Sequence, residues 1–87
     1  MAVETLSYLE AVKRMIRAAG RRVGEADEFE LAEMLTLRDE LEAAITSAIA
    51  GQMHGPSQRS WAGIADALGT TRQAAFKRYA HRIEAAR

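Results

Sequence analysis

Leu6, Leu9, Val12, Ile16 and Ala19 recur at intervals of three and four residues, which places them on one stripe of a helix. The pattern predicts a first helix of about four turns that stops before Gly20, with residues 20–26 as the first connection. Asp27 then stands three residues before Glu30, the spacing of a capping box, and Glu28 adds negative charge where a helix start is positive. From there Leu31, Met34, Leu35, Leu37, Leu41, Ile45, Ala48, Ile49 and Met53 keep a broad apolar face for about 25 residues, roughly 40 Å. The tract Gly51-Gln52-Met53-His54-Gly55-Pro56 interrupts it.

Trp61, Ile64, Ala65 and Leu68 share a face of a short third helix, with Ser60 placed to cap its start and Gly69 to close its end. Thr70 is positioned to cap a last helix, with Gln73 reaching back, and that helix runs through about Ile83. No stretch alternates with period two over several β-branched residues. The expected fold is all-α with four helices: an N-terminal helical hairpin and one long central helix leading into a C-terminal helix-turn-helix without a wing.

Composition narrows this further. Eighty-seven residues with a 48% hydrophobic fraction suit one domain with one core. Within it, residues 1–36 are expected to form the hairpin and dimerisation part, and residues 37–87 a three-helix DNA-binding part. The absence of cysteine removes disulfides, thiolate metal sites and cysteine nucleophiles. The start carries no basic region followed by an apolar one, and residues 43–50 are too short an apolar run to span a bilayer, so a soluble, cytoplasmic protein with no membrane partner is expected.

Twelve basic and twelve acidic side chains cancel in total but not along the chain. Residues 1–24 carry a net of +3, residues 25–42 a net of −7, and residues 43–56 none. Residues 57–87 hold Arg59, Arg72, Lys77, Arg78, Arg82 and Arg87 against Asp66 and Glu84, a net of +4. The acidic middle is read as favouring the helix dipole and facing Lys13, Arg14 and Arg17 of an antiparallel first helix, with a protein-binding surface as the alternative. The basic C-terminal third is the candidate surface for a polyanion.

The segment from Ser60 to Tyr79 has the spacing of a helix-turn-helix, with small Ala65 where two helices cross and Gly69 four residues later in the turn. Ile64, Leu68, Ala75 and Tyr79 are expected to face the core with Trp61. Thr71, Arg72, Gln73 and Lys77 then remain outward at the start of the last helix. That set suits the major groove, where arginine forks onto guanine O6 and N7 and glutamine pairs with adenine. Arg59, Ser60, Arg78 and Arg82 flank the motif as contacts to the phosphate backbone. Phe76 borders the stripe of Tyr79 and Ile83 and is read as core, with contact to a thymine methyl as the alternative. Met15, Met34 and Met53 fall on or near apolar stripes and are read as core filling.

The run Ser60-Trp61-Ala62, Ile64, Leu68-Gly69-Thr70-Thr71-Arg72-Gln73-Ala74-Ala75-Phe76 resembles short helix-turn-helix proteins common in actinobacteria and their phages. The likeness covers about residues 57–83. It implies DNA binding, mostly in regulatory proteins, and an apolar, acid-bearing helix before the motif like the segment from Leu35 to Ile49. The chain departs from that pattern at Gly63, where an acid would complete a capping box with Ser60.

His54 and His81 are the only histidines and form no pair at helical spacing, so no metal site is expected. There is no phosphate-binding glycine loop and no nucleophile motif, so neither an enzyme nor a cofactor is expected. The expected function is a transcriptional regulator that binds double-stranded DNA as a homodimer reading half-sites about one DNA turn apart. The rival is a helical adaptor that uses the acidic long helix to bind a protein partner, such as the transcription machinery.

Overall fold

A computed structural model describes residues 3–86 of the chain. Met1, Ala2 and Arg87, the last counted above in the C-terminal charge, lie outside the described residues. Four α-helices follow one another: α1 (Val3–Gly24), α2 (Glu28–His54), α3 (Trp61–Leu68) and α4 (Arg72–Ala86). The described residues contain no strand, and none of their helices is long and apolar enough to cross a membrane. The chain gathers into two compact units that divide between Asp39 and Glu40, inside α2, where the sequence pattern placed the division between residues 36 and 37.

The first unit holds α1 and the first three turns of α2. Here α1 runs past Gly20 to Gly24, about a turn beyond the expected stop. Glycine lowers helix propensity without forbidding the helix, and the terminal cε methyl of Met34 lies 3.9 Å from where a Cβ on Gly20 would stand. The connection shrinks to residues 25–27. Asp27 Oδ1 accepts the Glu30 N–H at 3.0 Å, so α2 starts where the capping pattern put it. No residue of α1 is buried. Met34 is half-buried, but Met15 is 70% exposed and fills no core, since α1 buries no residue for it to pack with. Lys13 pairs with Glu10 of its own helix, and among the described residues no ion pair joins Lys13, Arg14 or Arg17 to the acidic segment. The expected charge pairing inside the hairpin is therefore corrected.

The second unit packs the end of α2, α3 and α4 around Ile49, Ile64, Tyr79 and Ile83, with Ile45, Ala50, Met53 and Trp61 against them. Ala65 and Ala75 are the most deeply covered residues, at 2% and 1% exposure, as small side chains must be where two helices approach closely. Leu68 stays 38% exposed beside Thr70, Ala74 and Arg78, outside the core assigned to it, because α3 ends there and Gly69 turns the chain away.

That turn is built from backbone bonds. Gly69 sits at φ 71°, ψ 33°; its N–H donates to Asp66 O at 3.2 Å, and the Thr70 N–H donates to Ala65 O at 3.0 Å, a Schellman closure. An L side chain at that φ crowds the next carbonyl. Gly69→Ala is expected to lower stability by about 1 kcal/mol in urea unfolding followed by circular dichroism, and an unchanged midpoint would show that the turn tolerates a Cβ.

Candidate nucleic-acid interface

Residues 55–60 are stitched onto the end of α2 before α3 begins. Gln52 O accepts both the Arg59 N–H at 2.8 Å and the Ser57 hydroxyl at 3.2 Å, and the Gly55 N–H donates to Gly51 O at 2.9 Å. A Cβ on Gly55 would stand 2.5 Å from that same oxygen, so the chain leaves α2 through a position only glycine fits. This anchors the Arg59 backbone while its side chain stays exposed.

Ser60 caps α3, with extended backbone at φ −88°, ψ 162° and its Oγ accepting the Gly63 N–H at 3.2 Å. Half of a capping box thus forms without an acid at position 63. Thr71, not Thr70, caps α4: its Oγ1 accepts the Ala74 N–H at 3.1 Å. The Schellman closure takes the Thr70 N–H that Gln73 was expected to reach, and the cap itself, made by a side-chain oxygen, falls to Thr71.

With Thr71 at the cap, Arg72 and Gln73 occupy the first two positions of α4 and Lys77 lies a turn further on. All three are exposed, and among the described residues none of these side chains has an ion-pair or hydrogen-bond partner. The N–H groups of a helix's first turn point outward and carry positive partial charge, so this end suits an anionic or hydrogen-bond-accepting partner. Phe76, expected in the core, is 51% exposed on the same side and meets Trp61 edge-on, with ring centroids 5.4 Å apart at 74°. The core is closed by Tyr79 and Ile83, which leaves Phe76 on its rim.

Arg78 and Arg82 stand elsewhere. They lie about 140° around α4 from Gln73 and Lys77, and both converge on Glu42 of α2. Glu42 Oε1 accepts Arg78 Nη2 at 3.1 Å, Arg82 Nη1 at 3.2 Å and the Tyr79 hydroxyl at 3.0 Å. The guanidinium carbons also sit 5.3 and 5.9 Å from the Tyr79 ring centroid. The eight side chains picked out in the sequence therefore fall into two groups. Arg59, Ser60, Thr71, Arg72, Gln73 and Lys77 surround the start of α3 and α4, whereas Arg78 and Arg82 are tied to a carboxylate that balances part of their charge. Their side chains remain 60% and 44% exposed.

Glu42 was absent from the residues singled out by sequence, as was any polar role for Tyr79. The one signal was spacing: Glu42 precedes Ile45 by three and Ile49 by seven residues, on the stripe that faces the core. The hydrogen bond from Tyr79 is the main reason the Glu42 carboxyl titrates below its ordinary value, with Arg78 and Arg82 adding to it against the opposing effect of burial. Tyr79 is shifted upward, first by burial and then by Glu42.

A carboxyl depressed by folding stabilises the fold above its ordinary value, and that contribution is lost as the pH falls below it toward the depressed one. Wild-type protein is expected to lose stability across that acid range more steeply than Glu42→Gln, as followed by thermal melts from pH 7 to pH 3. Parallel curves would show that Glu42 contributes nothing.

Among the described residues, no three His, Asp or Glu side chains gather where they could hold a metal ion. No family model matches the chain, and no curated protein or solved structure does either.

Proposed function

We propose that this protein binds double-stranded DNA through a helix-turn-helix made of α3, the Gly69 turn and α4, and acts in the cytoplasm as a transcriptional regulator without catalysis or a cofactor. The observation that carries the reading is the opening turn of α4, where Arg72, Gln73 and Lys77 are exposed and have no partner within the described residues. Arg72 would read guanine and Gln73 adenine in the major groove, and Phe76 beside them offers an apolar contact for a thymine methyl. Arg59, Lys77 and the hydroxyls of Ser60 and Thr71, each accepting a cap bond and retaining its proton, would hold phosphates. Arg78 and Arg82 supply a weaker, outlying share of the phosphate attraction because Glu42 competes for them.

The test is retention of a pooled random duplex library at two salt concentrations, with the bound fragments sequenced. Enrichment of one motif, with affinity falling steeply as salt rises, is the expected result. No retention even at low salt overturns the reading, and retention without enrichment removes the part assigned to Arg72 and Gln73.

A further inference from the structure

The first unit leaves its apolar residues uncovered. On α1, Leu6, Leu9 and Ile16 are 51%, 49% and 45% exposed; on α2, Leu31 and Leu35 are 53% and 50% exposed. Each set follows helical spacing and ends in charge. On α1, Lys13 and Arg17 follow Leu9 at four-residue steps, with Arg17 about 20° around the helix from Leu6, whereas on α2 Glu28 precedes Leu31 by three and Asp39 follows Leu35 by four. The two stripes are thus alike in apolar content and opposite in the sign of their flanking charge.

The same opposition holds for the whole helices. α1 carries five basic and two acidic side chains, and residues 28–39 of α2 carry four acidic and one basic. Arg17, Glu28 and Asp39 are all exposed and make no ion pair among the described residues. A surface that presents an apolar stripe with a basic flank beside an apolar stripe with an acidic flank is complementary to itself under two-fold rotation. A partner of one charge would match only half of it.

We infer that this face is covered by a second copy of the chain, with α1 of one copy packed against the α2 acidic stripe of the other, so that two hairpins form a four-helix bundle. Leu6, Leu9, Ile16, Leu31 and Leu35 become its core, and with α1 antiparallel to the partner's α2 the Arg17 side chain meets Glu28 across the interface. The inference goes beyond the DNA-binding reading and does not depend on it.

The experiment uses two full-length variants, Arg17→Glu and Glu28→Lys. Native mass spectrometry and sedimentation equilibrium report their assembly, and circular dichroism reports helix content, which exposed charge reversals should preserve. Wild-type protein is expected to be a dimer at micromolar concentrations. Each variant alone sets like charges against each other and should dissociate at least several-fold more readily. Mixed together they restore both pairings, so heterodimer should exceed the half that random exchange produces. A wild-type chain that stays monomeric overturns the inference, and so does a dimer whose variants exchange at random. The same samples titrated with the selected duplex keep the two readings apart: a monomer that still selects a sequence leaves DNA reading intact, and a charge-matched dimer that binds no duplex leaves the bundle intact.

Discussion

Ile64→Ala is expected to unfold the second unit or leave it barely folded at room temperature. Ile64 is 3% exposed and packs with Ile49, Tyr79 and Ile83, so truncation removes three buried carbons and leaves a void that three helices share. Large-to-small changes of this kind cost about 2–5 kcal/mol. A unit of 48 residues, from Glu40 to Arg87, has roughly 2–7 kcal/mol of stability in total at ordinary values per residue. The loss is therefore comparable to the whole. Urea unfolding followed by the fluorescence of Trp61, which packs on this core, is the direct measurement. DNA retention should vanish for every sequence and at every salt, because the start of α4 has no position without α3 and α2 behind it. A midpoint that barely moves would mean that the core lies elsewhere.

Arg72→Ala is expected to do the opposite: leave the fold intact and change what is bound. Arg72 is exposed in the first turn of α4, and its removal breaks no hydrogen bond or ion pair among the described residues. A lost fork onto guanine costs about 1–3 kcal/mol, or roughly 5–150-fold in affinity, at the best site only. Unrelated duplexes should lose far less, since they never made that contact. Titrating the selected duplex and a scrambled one against both proteins separates the outcomes. Equal loss on both would reduce Arg72 to a phosphate contact, whereas Arg59→Ala is expected to weaken both alike and to lower the dependence on salt.

Much of the site was legible because its determinants are local. The caps at Asp27 and Ser60 each bond to an N–H three residues on, and Gly69 answers to its own φ, so neighbouring residues suffice to find them. The exposure of Arg72, Gln73 and Lys77 follows from the phase of α4 once Ala75 and Tyr79 are buried. Thr70 instead belongs to the closure of α3, its N–H bonded to Ala65 O, which the pattern of α4 alone does not reveal.

The residues that escaped sequence reasoning depend on partners far along the chain. Arg78 and Arg82 are 36 and 40 residues from Glu42, and nothing near them announces that a carboxylate waits there. Phe76 and Leu68 carry the same apolar label as Ile83 and Ile64, yet they lie at the rim because helix crossing, not hydrophobicity, decides which side chains the core can hold.

What the sequence by itself determined is the set of four helices and most of their ends, since hydrogen bonds and caps within a few residues settle those. Only the tertiary structure decided which basic side chains are free and which are held by Glu42, which apolar residues close the core, and which remain uncovered on the hairpin. Those outcomes rest on distances between segments separated by dozens of residues, and periodicity along one helix carries no information about them.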